Sequence, residues 1–312
     1  MKKNKRFENI CRLGQENLKI KLEQELFRIY DTVEYGDGYL YAKGDIPIIL
    51  TAHLDTVHKE LPREIVYKDD GSVSSPQGIG GDDRCGVYMI LEIIKKYKCH
   101  VLFFEDEETG GEGSNKFIST ETCKSLKGNI QYAIELDRKG KTDAVFYNCD
   151  NYDFEDFVTK EYWKTAYGSF SDICHICPEI GCAGVNLSCG YYNAHTLDEY
   201  VILEEMENNI KEVKKLIERT TDKDWYEYIE RKYSYQGKYS YGDVWENWKS
   251  WGKVSQEEEY YILFLAETGE RYTFVTANSE LEAVGYFLMD HPTLTYNDIL
   301  EIGYADMFDM EG

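Results

Sequence analysis

Histidine and carboxylate side chains occur in this chain in combinations that can bind metal ions. His53 and Asp55 follow the apolar run 46–51, and Asp82 follows the glycine pair 80–81. The other candidates are Glu107, Glu108, Asp137 and His195. Neutral imidazoles and ionised carboxylates are both good ligands for zinc. Apart from Asp55, they supply the two histidines and three acids that a site with two zinc ions needs, and one spare carboxylate.

Each of these motifs also has a simpler structural explanation when it is taken alone. Asp82 and Asp83 could cap a helix, and an acidic run such as 105–108 is usually solvated surface. At the end of a buried strand, however, crowded carboxylates raise one another's pKa unless cations compensate. Asp55 can also accept the ring N–H of His53 and fix its tautomer. The joint occurrence of the motifs therefore favours a metal site.

Apolar runs between these motifs predict the elements that position them. Buried strands are predicted at 46–51, 101–104, 132–136 and 183–187. Apolar residues at helical spacing predict helices at 15–30, 87–94 and 203–219. Strands that alternate with helices predict an α/β layered domain, and open α/β sheets hold ligands at the carboxyl ends of their strands. His53, the acidic run and Asp137 each follow such a strand directly.

The composition changes after residue 221 and predicts three regions. Residues 1–221 form the predicted catalytic domain, and the aromatic-rich residues 222–256 form a connecting segment. We favour packing between domains for these aromatics over a peptide-binding surface. Residues 257–312 form a predicted small α+β domain, with strands at 260–265 and 272–276. Its helix, at 279–289, begins with a capping-box pattern.

The charge of the chain excludes some classes of partner. A formal net charge of -23 disfavours binding to nucleic acids and to anionic membranes, because both carry negative charge. No apolar run approaches the ~20 residues that a membrane-spanning helix needs, and no secretory signal is evident. The sequence therefore predicts neither a nucleic-acid partner nor a membrane partner.

The nine cysteines are an odd number scattered along the chain, which predicts reduced thiols and a cytoplasmic location. Four of them lie close together in the sequence, at positions 174, 177, 182 and 189. Their spacing does not repeat a second C-x-x-C pair, so we favour buried thiols over a separate structural zinc site.

The order of the motifs is similar to that of the two-zinc exopeptidase superfamily. These motifs are H-x-D at 53–55, G-x-D-D-x-x-G at 80–86, D-E-E-x-G at 106–110, L-D at 136–137 and N-A-H-x-x-x-E at 193–199. The group includes tripeptidase T, glutamate carboxypeptidase, acetylornithine deacetylase and the zinc aminopeptidases. The resemblance covers roughly residues 45–220, and residues 188–205 look closest to the tripeptidase T branch. It implies a three-layer α/β/α catalytic domain with a mostly parallel mixed sheet.

The resemblance also implies a role for each metal-site residue. His53 and Asp137 would bind one zinc ion, Glu108 and His195 would bind the other, and Asp82 would bridge the two. Cobalt or manganese are possible substitutes for the two zinc ions.

The remaining implied roles concern the reaction. Glu107 would act as general base with a metal-bridging hydroxide, Asp55 would orient His53, and Asp172 resembles a further family position near the site. The predicted function is hydrolysis of amide bonds in short peptides, of the aminopeptidase or tripeptidase type. The alternatives are an N-acyl amino acid deacylase and a non-catalytic peptide-binding protein on the same fold.

One departure from the family pattern concerns the inserted lid domain. Many relatives of tripeptidase T carry a lid or dimerisation domain between the metal-binding Asp and the last metal-binding His. The stretch between Asp137 and His195 is too short for such a domain. Because the lid often binds the carboxylate of the substrate, its absence disfavours carboxypeptidase specificity. A monomer, or an oligomer that does not form through a lid, is expected.

Overall fold

The structure is a computed structural model and describes most of the chain. The described residues are 3–168, 170–231, 258–266, 269–277, 283–284, 287 and 299–304. The chain divides into two compact units, Met1–Arg231 and Lys232–Gly312. The first unit carries all the predicted site residues.

The elements of the first unit alternate between strands and helices. In chain order they are α1 (Lys5–Cys11), α2 (Gln15–Leu26), β1 (Val33–Gly36), β2 (Tyr39–Ala42), β3 (Ile46–His53), β4 (Val66–Tyr67), β5 (Ser72–Ser74), α3 (Gly81–Ile93), β6 (Cys99–Phe104), α4 (Glu112–Phe117), α5 (Glu121–Leu126), β7 (Tyr132–Arg138), β8 (Asp143–Val145), α6 (Tyr152–Thr159), β9 (Lys164–Ala166), α7 (Ile173–Ile180), β10 (Gly184–Ser188), β11 (Tyr191–Tyr192), β12 (Tyr200–Ile202) and α8 (Leu203–Arg219).

The main sheet has eight strands in the order β1-β2-β6-β3-β7-β10-β8-β9. Its four central strands, β6, β3, β7 and β10, run parallel to one another. Strands β1, β2 and β8 add antiparallel pairings towards the two edges. This confirms the predicted mostly parallel mixed sheet.

Both faces of the sheet are covered, because its central strands are apolar on both sides. On β3, Ile48 and Leu50 point into one apolar core and Ile49 points into the other. This follows from the alternation of side chains along a strand. Helices α1, α2, α3, α6 and α8 pack in the first core, and α4, α5 and α7 pack in the second. The predicted three-layer α/β/α arrangement is therefore confirmed. Each fully buried Ile or Leu contributes about 1.5–3 kcal/mol to this packing.

The helix predicted at 15–30 is shorter than expected. It ends at Leu26, and the N–H groups of Ile29 and Tyr30 both donate to the Leu26 carbonyl in a terminal turn. Ile29, which the apolar spacing placed on the buried stripe, is 37% exposed. The chain leaves the helix here because Tyr30 turns inward and donates its hydroxyl hydrogen to the carbonyl of Cys99.

A small second sheet, in the order β11-β12-β5-β4, was not predicted from the sequence. Its strands have two or three residues each, too few for a periodic pattern to be recognised. The connection between β11 and β12 is the loop 193–199, which carries His195. This sheet is therefore the support for one of the predicted metal ligands.

The stretch between Asp137 and His195 adds strands and helices to the first unit. Strands β8, β9 and β10 all join the main sheet, and helix α7 packs against α4 and α5. Apart from Ser169, which lies outside the described residues, this stretch contains no separately folded lid.

The aromatic residues at the start of the predicted connecting segment pack on the first unit. The Tyr226 ring lies 5.1 Å from the Phe154 ring and 5.4 Å from the Phe157 ring, centroid to centroid. The Tyr226 N–H donates to the Gln131 carbonyl. The other aromatics of the segment, from Tyr233 onward, lie outside the described residues.

The second unit contains a three-stranded antiparallel sheet, in the order β14-β13-β15. Its strands are β13 (Glu258–Ala266), β14 (Gly269–Ala277) and β15 (Ile299–Tyr304). The first two match the strands predicted at 260–265 and 272–276. Tyr260, Ile262 and Phe264 on β13 are buried together with Phe287. Most of the helix predicted at 279–289 lies outside the described residues.

Two further observations concern the described residues as a whole. Among them, the longest and most apolar helices fall short of what a membrane crossing requires. All nine cysteines are free, and eight of them are buried.

Candidate metal centre

The predicted site residues meet at the carboxyl ends of the central strands. His53 is the last residue of β3, Asp137 is the second-last residue of β7, and Glu107 follows the end of β6. Strand β3 pairs in parallel with both β6 and β7, so the three ends lie side by side. The topology therefore brings together groups that are far apart in the sequence.

Asp82 stands between the two histidines and presents one oxygen to each. The Nε2 atom of His53 lies 3.0 Å from Asp82 Oδ1 and 3.5 Å from Asp137 Oδ1. The Nε2 atom of His195 lies 3.3 Å from Asp82 Oδ2 and 3.1 Å from Glu108 Oε2. This is the arrangement that a bridging carboxylate requires.

The donor set fits zinc. His53, Asp82 and Glu108 place one donor atom each within 4.8 Å of one another, and so do His53, Asp83 and Asp137. Ligand atoms at about 2.0–2.2 Å from one ion lie within such a spacing. Among the described residues, the buried Oε1 atom of Glu108 has no hydrogen-bond partner, so it is an acceptor that a cation would satisfy.

Asp55 determines how His53 faces the centre. The Oδ1 atom of Asp55 lies 3.0 Å from His53 Nδ1, and the carboxylate also accepts the backbone N–H groups of Glu107 and Glu108 at 3.1 and 3.0 Å. Burial opposes ionisation of Asp55, but the hydrogen bond with His53 and the two backbone bonds lower its pKa. A proton held on Nδ1 leaves the Nε2 lone pair directed at Asp82 and Asp137.

At the start of α3, the loop-like residues Asp82 and Asp83 have a non-helical backbone conformation. Gly80 has a left-handed backbone with φ 64°, and the Asp82–Asp83 peptide is cis. Asp83 accepts the backbone N–H of Gly86 at 2.9 Å and that of His53 at 3.2 Å. Asp83 thus caps the helix, as the simpler explanation had it, and it also ties the loop to β3.

Asp137 is held from several sides. The Tyr191 hydroxyl donates to its carbonyl at 3.0 Å and lies 3.2 Å from its Oδ1, and the Ser171 hydroxyl donates to its Oδ2 at 3.1 Å. The side-chain carbonyl of Asn186 accepts the Asp137 N–H at 3.0 Å. Burial, followed by the charge of Asp82, raises the pKa of Asp137 to about 6.

The centre contains more carboxylates than its two imidazoles can neutralise. Burial, with the charges of Asp137 and Asp172, raises the pKa of Glu107 to about 10. Burial is also the main reason that the pKa of Asp172 rises to about 7 and that of Glu135 rises well above its usual range. Bound cations would offset this excess of negative charge, as the acidic run in the sequence suggested.

Two of these acids, Asp172 and Glu135, are fully buried close to the proposed ligands. Asp172 is fully buried, and neither of its carboxylate oxygens has a hydrogen-bond partner among the described residues. The sequence analysis did not identify Glu135 as a site residue, although it lies two residues before Asp137 on β7. The two-residue period of a strand places it on the same face as Asp137, and that was the available signal.

His195 lies at the open side of the centre. Its side chain is 56% exposed, and its backbone is left-handed with φ 64°. Hydrogen bonds with Asp82 and Glu108 raise its pKa to about 10 against the opposing effect of partial burial. The loop, rather than a strand of the main sheet, therefore brings this histidine to Asp82.

Helix α2 supports the acidic loop from the other side. Gln15 donates to Asp106 Oδ1 at 2.8 Å and accepts the Asp106 N–H at 3.2 Å. The Lys19 ammonium is only 2% exposed and forms an ion pair with Glu105. Sequence reasoning missed both contacts, although a lysine beside Leu18 on the apolar stripe was a possible signal.

The cysteines do not form a second metal site among the described residues. Cys177 and Cys182 pack in the core under α7, whereas Cys189 lies in the core on the opposite face of the sheet. Of the donor groups in the described part of the chain that are close enough to hold an ion, none includes a cysteine.

Part of the chain matches a protein-family model. Residues 40–175 match the family model of peptidase family M28. This range includes every predicted site residue except His195. A search of curated proteins finds no match.

Solved structures share the fold. The aminopeptidase PepT from Bacillus cereus has a TM-score of 0.58 at 14% identity, covering 69% of this chain and 96% of that one. A tripeptidase from Staphylococcus aureus has a TM-score of 0.54 at 13% identity, covering 68% and 95%. A glutaminyl cyclase from Tannerella forsythia has a TM-score of 0.50 at 14% identity, covering 70% and 96%.

The family match and the fold confirm the resemblance to the two-zinc exopeptidase superfamily. The match to a peptidase family model also supports the prediction of a metallopeptidase. The roles of the individual site residues stay predictions.

Proposed function

We propose that this chain is a zinc-dependent aminopeptidase that removes residues from short peptides. In this proposal His53 and Asp137 hold one zinc ion, Glu108 and His195 hold the other, and Asp82 bridges them. The observation that carries the proposal is the position of Asp82, whose two oxygens each face a different imidazole.

Glu107 is the proposed general base. Its carboxylate is mostly buried beside Asp137 and Asp172, which raises its pKa when no cation is bound. Bound cations would counteract this rise and leave the carboxylate ionised, as a general base must be. Two zinc ions, when bound, supply Lewis acidity for the peptide carbonyl and lower the pKa of water. Glu107 accepts the proton of the attacking water and delivers it to the nitrogen of the departing amine, so the proton count balances over the cycle.

The charge around the centre favours a substrate with a free amino terminus. Among the described residues, no lysine or arginine forms an ion pair with Asp82, Glu107, Glu108 or Asp137. The guanidinium of Arg84, close to Asp82 in the sequence, donates to backbone carbonyls such as that of Leu54. An ammonium group is attracted to such a centre, whereas a substrate carboxylate finds no cationic side chain paired with these acids in the described part of the chain.

The same argument disfavours the first alternative, an N-acyl amino acid deacylase. An N-acylated amino acid has no ammonium group and presents a carboxylate close to the cleaved bond. The name of the Bacillus cereus structure, an aminopeptidase, agrees with the choice of terminus. The non-catalytic alternative is disfavoured because Glu107 and all five proposed ligands are present.

The fold alone does not decide the reaction, since a protein named a glutaminyl cyclase shares it. The test therefore uses a panel of substrates: tripeptides with a free amino terminus, the same tripeptides acetylated, acetylated amino acids, and a peptide with amino-terminal glutamine. Zinc, cobalt and manganese are each supplied. We expect turnover of the free tripeptides and little turnover of the blocked substrates.

Two variants separate the base from the ligands. Glu107→Gln keeps the shape of the side chain but cannot accept the proton, so we expect kcat to fall by about 10²–10⁴-fold while two metal ions stay bound. Glu112→Gln, an exposed carboxylate on the same connection, is the matched control and should keep full activity. Absence of bound metal in the wild type would overturn the proposal, and bound metal without turnover of any substrate would favour the binding-protein alternative.

A further inference from the structure

Glu199 is a buried carboxylate whose role the reaction outlined above leaves open. It lies four residues after His195, at the end of the loop 193–199, and is fully buried. Its Oε1 atom accepts the backbone N–H of Asp82 at 2.9 Å, and its Oε2 atom accepts that of Gly80 at 2.8 Å. The Oε2 atom also lies 2.8 Å from Nε2 of His58.

These contacts join two segments that both carry proposed metal ligands. A buried carboxylate is costly unless hydrogen bonds compensate, and two of the donors that compensate Glu199 are backbone groups of the loop holding Asp82. The third donor is the ring of His58, whose backbone N–H is held by Thr56 Oγ1 at 3.0 Å. Glu199 therefore connects the loop of Asp82 to the loop of His195.

The loop of Asp82 has little room to move around these bonds. A Cβ atom on Gly81 would lie 2.8 Å from atoms of both Tyr191 and Val201, and 3.3 Å from Glu199 Oε1. A rotation of the peptide that carries the Asp82 N–H would also move both Asp82 oxygens, because the side chain branches from the next atom of the backbone. The bond to Oε1 thus restricts the direction of the Asp82 carboxylate.

We propose that Glu199 is a positioning residue that fixes the Asp82 carboxylate between His53 and His195. The inference rests on the proposed function, because it concerns the carboxylate assigned there as the bridge. Since both zinc positions share Asp82, loss of Glu199 weakens both together. Side chains that hold metal ligands in this way typically change metal affinity by about 10–100-fold when they are removed.

The test compares two glutamates near the same loop. Glu199→Gln replaces one carboxylate oxygen by an NH2 group that cannot accept, and so removes either the Asp82 N–H bond at Oε1 or the Gly80 N–H bond at Oε2. Glu205→Gln is the matched control, because Glu205 accepts the Tyr192 hydroxyl at 2.6 Å next to the loop but bonds neither Gly80 nor Asp82. Zinc affinity is measured by competition with a chromophoric chelator, and the visible absorption spectrum is recorded on the cobalt-loaded proteins.

For Glu199→Gln we expect both zinc affinities to fall by about 10–100-fold and the cobalt spectrum to change. We expect kcat to fall more than KM rises, because the proposed substrate contacts are retained. For Glu205→Gln we expect wild-type affinities and spectrum. His58→Gln leaves Glu199 and its two backbone bonds in place, so its affinities should fall by about 2–10-fold; it also keeps the test decisive if Glu199→Gln does not fold.

The outcomes separate the inference from the proposed function. If the wild type binds two zinc ions and Glu199→Gln binds them equally well, the positioning role is wrong, even where thermal unfolding shows lower stability. An equal loss of affinity in Glu205→Gln would also overturn it, because any disturbance of the loop would then suffice. If the wild type binds no zinc, the proposed metal centre itself fails.

Discussion

Two halves of the proposed metal centre are built in different ways. The strand half consists of His53 and Asp137, which lie at the ends of β3 and β7 and whose side chains are 1% and 9% exposed. The loop half consists of Glu108 and His195, which lie on connections outside the main sheet. The His195 side chain is 56% exposed.

The halves also differ in what holds their ligands. In the strand half, Asp55 fixes the ring of His53, while Tyr191 and Ser171 hold Asp137. Among the described residues, the His195 side chain forms ion pairs with the proposed ligands Asp82 and Glu108 alone. The sheet therefore prepares one half before any ion binds, whereas the loop half leaves an open side by which a substrate can approach.

The largest difference is expected between two histidine substitutions. His53→Ala leaves the buried carboxylates of Asp55, Asp82 and Asp137 without their imidazole, so we expect loss of bound metal and a decrease of about 2–4 kcal/mol in the free energy of unfolding. His195→Ala should lose one metal ion, with little change in the stability of the metal-free protein, because the ring is largely in solvent. Metal analysis and urea unfolding check both.

Equal destabilisation by the two substitutions would contradict the distinction between the halves. His195→Gln and His53→Gln serve as controls of similar size, since they distinguish loss of the imidazole from loss of side-chain volume.

A second prediction concerns the buried ion pair under the acidic loop. Lys19→Met removes the cation that pairs with Glu105, so we expect about 2–4 kcal/mol of destabilisation and a lower kcat, because residues 105–108 lose a support. Adding Glu105→Gln should recover part of the stability, because the buried charge is then removed as well. Urea unfolding and steady-state kinetics of the two single variants and the double variant measure the coupling. Additive effects in that cycle would show that the pair does not act as a unit.

The third prediction separates the effect of burial on the pKa of a histidine from the effect of nearby charges, using two histidines of the main sheet. His53 and His100 are both buried, but carboxylates raise the pKa of His53 whereas burial, aided by Lys43, lowers that of His100 to about 4. Between about pH 4 and 6.5 the unfolded state binds more protons at His100 than the folded state, so this contribution to stability is lost as the pH falls through that range.

His100→Gln removes this titration while keeping a group that can bond to the Tyr41 hydroxyl. We therefore expect the stability advantage of the wild type over this variant to shrink by about 1–2 kcal/mol from pH 7 to pH 4. Urea unfolding at several pH values tests this. A constant difference would mean that His100 titrates normally in the folded chain.

The smallest expected effect distinguishes two adjacent tyrosines. Tyr191→Phe removes the hydroxyl that holds Asp137, so we expect zinc affinity to fall by about 3–10-fold and stability by about 0.5–1.5 kcal/mol. Tyr192→Phe removes the hydroxyl bonded to Glu205 and should leave zinc affinity unchanged. Chelator competition on both variants provides the measurement. A larger loss of zinc affinity in Tyr192→Phe than in Tyr191→Phe would contradict the proposed role of the Tyr191 hydroxyl.

Several features of this chain could be predicted from the sequence because their causes are local. Apolar runs predicted the strands that carry His53 and Asp137 at their carboxyl ends, since a strand buried on both faces needs continuous apolar residues. Helical spacing predicted the bounds of α8, and glycines followed by Asp82 and Asp83 indicated the turn into α3. The short strands of the second sheet and the end of α2 at Leu26 depend on distant partners and were missed.

The sequence by itself determined which residue types lie at the ends of the core strands, and therefore the part of the proposed donor set that His53 and Asp137 supply. Only the tertiary structure decided that Asp82 faces both histidines, that Glu199 bonds the loop of Asp82, and that Lys19 lies under the acidic loop. Each of these contacts joins segments separated by dozens of residues. Such pairings follow from the order of strands in the sheet, which no local pattern specifies.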